Sequence, residues 1–542
     1  MTRHRLAFIL AAIGLANGAS AFDDASLQQA LNQRLAGDRS GACMAAAVIE
    51  QGQVSRALSC ADPAQLDRIG FEHSFEIGSV SKTMNAALLA MLVAEGKLDL
   101  DDPLTKHLPK GSKAPEFDGQ PIRLRHLLTH TSGLPSIAPS WQLSNPANPY
   151  STLKQKDLFS ALGKIELATA PGSKFEYSNF GAMLLSWVVS KTADQDYQTL
   201  IQQRLFEPLT MQQAYIKKPG KSVPVVQGHT PNRQPTPAWT FPADTAGVGG
   251  VRASLNDMIR YLQAHLQPAE DALGQALART HETLDENPGK GIAWAWMVAP
   301  LNDREYLVHE GGTGGFSAFV AFSRDGERGA VVLSDTALTS IGGLSSVGLH
   351  LLDPSVPMGK PRLETQPDAE LLDALVGSYR LAGGLNMELR RKGDALEIQA
   401  TGQPAFAMGY DSAGDFYPLA FDALLRPAKR SDGSVGFSWL QGGGVMAAKR
   451  IEQVATPPDL SLGDYAGRYP LMPGFELRVF ADGEQLKAQA TGQGAFVIDY
   501  ADSDRFVADA YGIEIVFERD TAGAVTALKL HQGGQTMSGK RR

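Results

Sequence analysis

Apolar and polar positions fall into blocks along the chain. Residues 24–36 carry apolar side chains at helical spacing and read as an amphipathic helix. The next block, "CMAAAVIEQGQVSRALSC" (43–60), predicts a β-hairpin turning at Gln51–Gly52. A strand over His73–Ile77 runs into an apolar-periodic helix from Ser79 to about Glu95. From there to about residue 265 the pattern is helix and loop. "HLLTHTSGLP" ends a helix with Gly133 and Pro135, a polar loop with Pro139, Pro146 and Pro149 follows, and "GAMLLSWVVSKTA" reads as a buried helix. After residue 290 strands dominate, in "GIAWAWMVAP", "EYLVHEGG", "FSAFVAFSR" and "GAVVLSD", and a helix over Gly343–Leu352 closes the region. Strands first and last with helices between predict one sheet built from both ends of a single α+β domain.

"DPSVPMGKPRLETQPD" breaks this pattern with proline and charge and reads as a linker, spanning 356–368. Beyond it one unit occurs twice. "LEIQATGQPAF" (396–406) matches "LKAQATGQGAF" (486–496) at an offset of 90, which also aligns Gly377 with Gly467 and Phe416 with Phe506. Short alternating strands between Gly and Asp turns predict two small antiparallel barrel-like domains, 369–452 and 463–542, joined by a linker at 453–462.

Length and charge narrow the function classes. A chain of 542 residues exceeds one core and implies several domains. Arg3 and Arg5, an apolar stretch over Leu6–Ala16 and the small residues Ala19-Ser20-Ala21 read as a secretory signal peptide cleaved after Ala21. That leaves a domain over 22–355 ahead of the linker. The apolar stretch falls short of the ~20 residues a membrane span needs. The net charge of −8 becomes −10 without Arg3 and Arg5, and there is no basic tract, which argues against nucleic acid or an anionic membrane as partner. The expected location is the periplasm or the exterior.

Export changes the meaning of the two cysteines, Cys43 and Cys60. A turn at Gln51–Gly52 pairs Glu50 with Gln53, and counting outward pairs Cys43 with Cys60. Directly opposed strand residues suit a disulfide. An oxidising compartment favours the bond, worth about 3 kcal/mol for a loop of this size.

Chemistry concentrates in three places. In "FEIGSVSKTMN" the residues Ser79 and Lys82 are three apart and share a helix face, whereas Ser81 points away. Ser79 opens the helix, where free N–H groups favour a developing negative charge, and a serine hydroxyl becomes nucleophilic when a nearby base takes its proton. Ser151-x-x-Lys154 has the same spacing, but in a proline-rich loop with no strand leading into it. "PGSKFEYSNFGAMLL" carries Tyr177-Ser178-Asn179 in a turn before a buried helix. "LVHEGGTGGF" carries His309 and Gly311 on a strand running into a glycine-rich turn. No G-x-S-x-G elbow, H-E-x-x-H pair or phosphate loop is present. No metal or nucleotide cofactor is implied.

Taken in order, Ser79-x-x-Lys82, Tyr177-x-Asn179 and His309-x-Gly311 resemble the three motifs of the penicillin-recognising serine hydrolases, a group spanning class C β-lactamases, D,D-peptidases, esterases and D-aminopeptidases. "FEIGSVSKT", "LRHLLTHTSGLP" and "PGSKFEYSN" are similar to stretches of that family, over about residues 25–355. The resemblance implies an antiparallel sheet flanked by helices with a helical lobe over the cleft. By the same resemblance Ser79 forms an acyl-enzyme, Tyr177 near Lys82 serves as general base and then acid, and Asn179 positions substrate and Lys82. The N–H groups of Ser79 and Gly312 would form the oxyanion hole. A catalytic domain followed by two related C-terminal units is similar to the D-aminopeptidases.

Position 309 departs from the pattern. β-Lactamases and D,D-carboxypeptidases usually carry Lys there, a fixed charge for a substrate carboxylate, whereas histidine is mostly neutral at pH 7. The expected activity is therefore a secreted, D-aminopeptidase-like serine hydrolase of peptide amides, with β-lactams as candidate inhibitors. An esterase or weak β-lactamase on the same scaffold, and a non-catalytic binder of cell-wall peptides, are the competing readings. For a free-amine substrate the nominated carboxylates are Asp499, Asp502 and Asp504 in the second repeat.

Overall fold

The computed structural model describes residues 22–542, except 142, 144, 218–219, 221, 285–290, 383, 430–432, 452–459, 484, 509–510 and 533–534. The expected signal peptide and most of the linker between the repeats lie outside the described residues. The chain divides into two compact units, one through Arg362 and one from Leu363.

The first unit is built on a six-stranded antiparallel sheet. Its order is Gln53–Cys60, Cys43–Glu50, Arg328–Ser334, Ser317–Ser323, Arg304–Gly312 and Met297–Leu301. The N-terminal hairpin thus pairs with the last strand of the unit, Val48 opposite Ala330 and Ala46 opposite Val332, which joins both ends of the domain in one sheet. Ser317–Ser323 and most of Arg328–Ser334 are buried, and their near-continuous apolar runs reflect cover on both faces. Helices Asp24–Leu35, Leu255–Leu266 and Ser345–Leu352 pack on the sheet. Helix Ser81–Ala94 is buried along nearly its whole length, as its all-round apolar sequence requires, and packs against helices Asn179–Ala193 and Ala272–Arg279.

Two local departures matter. The strand before the candidate nucleophile is only Phe75–Glu76, paired with Arg252–Ala253. At Gly78 the backbone turns left-handed, φ +49°, and a 3₁₀ turn over Gly78–Val80 precedes the α-helix, which starts at Ser81. Ser79 therefore sits on this turn rather than in the first α-turn. "GIAWAWMVAP" becomes strand only from Met297, because Trp294 and Trp296 are fully buried and the chain bends between them at Ala295, φ +61°.

The second unit begins inside the stretch read as linker, where Glu364–Thr365 pairs with Tyr410–Asp411. From Gly377 to Arg450 an antiparallel meander closes on itself, Tyr379 opposite Arg450, as an eight-stranded barrel. From Gly467 to Lys540 a second eight-stranded meander forms a nearly closed barrel. The duplication persists in their bonding, at an offset of 90 for the tyrosines and 91 for the closing arginines. Tyr379 Oη donates to the Leu375 carbonyl at 2.9 Å, and Tyr469 Oη to the Tyr465 carbonyl at 2.8 Å. Arg450 reaches the Ala374 carbonyl and Arg541 the Asp464 carbonyl.

Candidate active site

The turn at Gly78 brings Ser79 and Lys82 together. Lys82 Nζ lies 2.8 Å from Ser79 Oγ, 2.9 Å from Asn179 Oδ1 and 2.7 Å from the Val248 carbonyl. No carboxylate is among these partners, and Lys82 is only 4% exposed. Burial without a counter-charge lowers its amine from 10.5 to about 7. Ser81 is engaged differently: its buried hydroxyl donates to the Gly78 carbonyl at 2.7 Å and accepts from Val251 N–H at 3.1 Å, which holds the turn.

Tyr177 and Asn179 arrive on the loop and first residue of helix Asn179–Ala193. The helix cap is Ser178, whose Oγ accepts from Gly181 N–H at 2.9 Å, so the Asn179 side chain is left to receive Lys82. The Tyr177 phenol hydrogen-bonds Ser79, and burial pushes its pKa up. Lys82 Nζ also stands 5.0 Å from the centre of the Tyr177 ring. Tyr150 hydrogen-bonds Asn179 and is likewise raised by burial.

His309 enters from strand Arg304–Gly312. Its Nδ1 lies 2.7 Å from the Glu310 carbonyl, an acceptor, so Nδ1 carries the proton and Nε2 keeps its lone pair. Nε2 is buried with no hydrogen-bond partner among the described residues. Burial first, and the Lys82 charge second, lower His309 to about 3. The imidazole is therefore neutral at pH 7.

The two glycines that follow bring this strand onto the Gly78–Val80 turn. A Cβ on Gly311 would stand 1.9 Å from the Ile77 carbonyl and 3.1 Å from Ser79 N, and a Cβ on Gly78 would stand 2.6 Å from Gly312 N. Only glycine fits at that approach. Thr313 N–H donates to the Phe316 carbonyl, which makes 313/316 a bonded pair of the hairpin. Bonding alternates along antiparallel strands, so 312/317 is a non-bonded pair and Gly312 N–H faces away from Ser317, with Gly312 N lying close to the Gly78 turn. Two main-chain N–H groups beside one hydroxyl are what an oxyanion requires.

Several residues at the site were not singled out in the sequence. Glu76, 5% exposed, accepts from Trp239 N–H and from Arg252, both at 2.9 Å, which ties the strand before Ser79 to the segment behind the glycine-rich turn. Burial raises its carboxyl, and Arg252 opposes the rise. Val248 contributes only its carbonyl. His130 lies in "THTSG", read only as a helix end, and its ring is 4.2 Å from that of Tyr177. Its unusual φ of +57° leaves no mark in the sequence.

The remaining expectations divide. Ser151 and Lys154 are exposed, and Lys154 begins a helix through its main chain, so that second spacing match plays no part. Cys43 and Cys60 are opposed in register and bonded, with Cα atoms 3.9 Å apart. Asp502 pairs with Arg505, and Asp504 with Arg519 and the Tyr465 hydroxyl, so both are engaged inside their own barrel.

With Ser79 and the buried Lys82 on a glycine turn, and strand Arg304–Gly312 pressed against that turn, this sheet and its helices form a beta-lactamase/transpeptidase-like fold. The chain belongs to the beta-lactamase family, whose model matches residues 27–340. A domain of unknown function, DUF3471, matches 452–541, the second barrel. The chain is 29% identical over 340 residues to the D-alanyl-D-alanine-carboxypeptidase/endopeptidase AmpH of Escherichia coli (strain K12), covering 59% of this chain and 86% of AmpH. It is 28% identical over 338 residues to a beta-lactamase of the same strain, covering 54% and 83%. In structure it resembles the octameric penicillin-binding protein homologue from Pyrococcus abyssi, with TM-score 0.52 and 20% identity over 86% of this chain and 98% of that one. A class C beta-lactamase aligns with TM-score 0.50 and 22% identity, over 59% and 94%.

Proposed function

We propose that the protein is an exported serine hydrolase that cleaves peptide amides through an acyl-enzyme on Ser79, with D-aminopeptidase-like selectivity. The observation that carries this reading is the buried Lys82 amine 2.8 Å from Ser79 Oγ. With its pKa near 7, a large share of Lys82 is neutral at physiological pH. A neutral amine has a lone pair, and the same 2.8 Å contact then runs from the Ser79 hydroxyl to Nζ.

Ser79 Oγ attacks the substrate carbonyl as its proton passes to Lys82. The oxyanion receives the N–H groups of Ser79 and Gly312. The leaving amine takes a proton from the Tyr177–Lys82 pair, and water then hydrolyses the ester. Burial favours the protonated phenol, so Lys82 suits the role of base and Tyr177 that of acid. This keeps for Tyr177 the acid half of the role that the family resemblance implied and gives the base half to Lys82.

His309 guides the choice of substrate. With Nδ1–H committed to the Glu310 carbonyl, the imidazole brings neither charge nor a free donor to a carboxylate. Substrates without a free C-terminal carboxylate are therefore favoured. The likeness to AmpH favours a second reading, D-alanyl-D-alanine carboxypeptidase or endopeptidase activity. Its endopeptidase half needs no terminal carboxylate either. Assays on D- and L-aminoacyl anilides, short-chain esters, a D-Ala-D-Ala free acid and its amide, and a chromogenic cephalosporin test both. The leading reading fails if the free acid or the cephalosporin is turned over best.

A further inference from the structure

His130 holds the Tyr177 segment at three points. Its carbonyl accepts from Glu176 N–H at 2.7 Å. Its Nδ1 accepts from Ser178 N–H at 3.2 Å. Between these two bonds, its ring stands 4.2 Å from the Tyr177 ring at an angle of 34°. One residue thus grips the backbone before and after Tyr177 and backs the face of its ring.

The grip also fixes the imidazole. Nδ1 is an acceptor, so the proton sits on Nε2, which is buried without a hydrogen-bond partner among the described residues. His130 is 2% exposed, and its left-handed backbone, φ +57°, is a conformation few residues adopt without compensating contacts. A helix end alone would be served more cheaply by glycine or asparagine.

We propose that His130 is a positioning residue for acid–base catalysis, aiming the Tyr177 hydroxyl at Ser79 through its tether to Ser178 and its ring contact. The proposal rests on the reading of Tyr177 as an acid–base group. A misplacement of about 1 Å at a reacting group costs up to ~100-fold in rate. Loss of His130 should therefore lower kcat and leave KM nearly unchanged.

The test is a double-mutant cycle in the full chain on a chromogenic amide or ester, with kcat expressed per mole of folded protein. His130→Gly removes ring and acceptor yet tolerates φ +57°. Its expected kcat is about 30- to 100-fold below wild type, with KM within threefold. In a Tyr177→Phe background the same change should cost less than threefold. A kcat within twofold of wild type, or a loss undiminished in that background, overturns the proposal. If Tyr177→Phe alone turns over at the wild-type rate, the reading of Tyr177 fails and this proposal with it. Should the glycine variant not fold, His130→Asn carries the test. It keeps an acceptor for Ser178 N–H and loses the ring, so kcat should fall about fivefold, and the loss should vanish in the Tyr177→Phe background. A wild-type kcat, or a persistent loss, overturns the proposal equally.

Discussion

Lys82 Nζ stands 2.8 Å from Ser79 Oγ, while Ser81, two residues nearer in sequence, spends its hydroxyl on the Gly78 carbonyl and Val251 N–H. The two serines should therefore fail in different ways. Ser79→Ala should abolish labelling by a fluorophosphonate and leave thermal stability near wild type. Ser81→Ala should keep substantial turnover and lose about 1 to 3 kcal/mol of stability, the cost of leaving the buried Val251 N–H unmet, since the Gly78 carbonyl keeps the Ser81 N–H. Labelling and denaturant titration of both variants separate the cases.

The Lys82 amine makes a prediction about pH. Its folded value, about 7, lies below the ordinary 10.5, and under the proposed mechanism the acting form is the neutral one. kcat/KM should rise with pH through an apparent pKa near 7 and level off above 8. The linked stability effect has the same sign. Between pH 7 and 10.5 the unfolded chain binds this proton and the folded chain does not, so this group's contribution to stability rises with pH across that window. A flat profile from pH 6 to 8.5 would remove Lys82 as the base.

His309→Lys should move substrate preference toward free carboxylates. A charge-assisted contact to a carboxylate is worth roughly 1.5 to 3 kcal/mol, so free acids should gain about 10- to 100-fold relative to the matching amides. A second ammonium beside Lys82 should also move the pH midpoint below 7. In the wild type, benzylpenicillin should be a poor substrate or an inhibitor. Wild-type kcat/KM for penicillin at or above that for D-aminoacyl amides contradicts the assignment.

The Cys43–Cys60 bond closes a loop with 17 residues of sequence separation. Cys43→Ala/Cys60→Ala should lose about 3 kcal/mol in urea unfolding, with little change in kcat. Protein recovered from its native compartment should show no alkylatable thiol before reduction and two after it. Its N-terminus should be Phe22.

What could be read from the sequence was what short-range geometry decides. One helical turn relates Ser79 to Lys82, and a two-residue turn relates Cys43 to Cys60. The duplication could be read from the matching stretches 396–406 and 486–496, and the structure keeps it in the bond of Tyr379 and of Tyr469 to a carbonyl four residues back. His130 escaped because its partners lie 46 to 48 residues away and two of its three contacts are to main chain. The bend at Ala295 escaped because burial of Trp294 and Trp296 overrode a strand-like pattern. Glu76 and Arg252 escaped because a buried ion pair 176 residues apart has no local signature.

The third hold on Lys82 is the oxygen of Val248, a main-chain atom. No side-chain replacement deletes it. A saturation scan would score Val248 as an ordinary packing position, and covariation between homologues would carry no trace of the bond. That part of the lysine's environment is inherited through the shape of the 3₁₀ turn Ala243–Val248 rather than through any residue's identity. Gly247 is where that shape is exposed to mutation. A Cβ there would meet Tyr197 Oη at 2.6 Å, Ser186 Oγ at 2.8 Å and Asn85 Oδ1 at 2.9 Å. For an engineer, the placement of that carbonyl over the lysine is reachable from a glycine that never touches it.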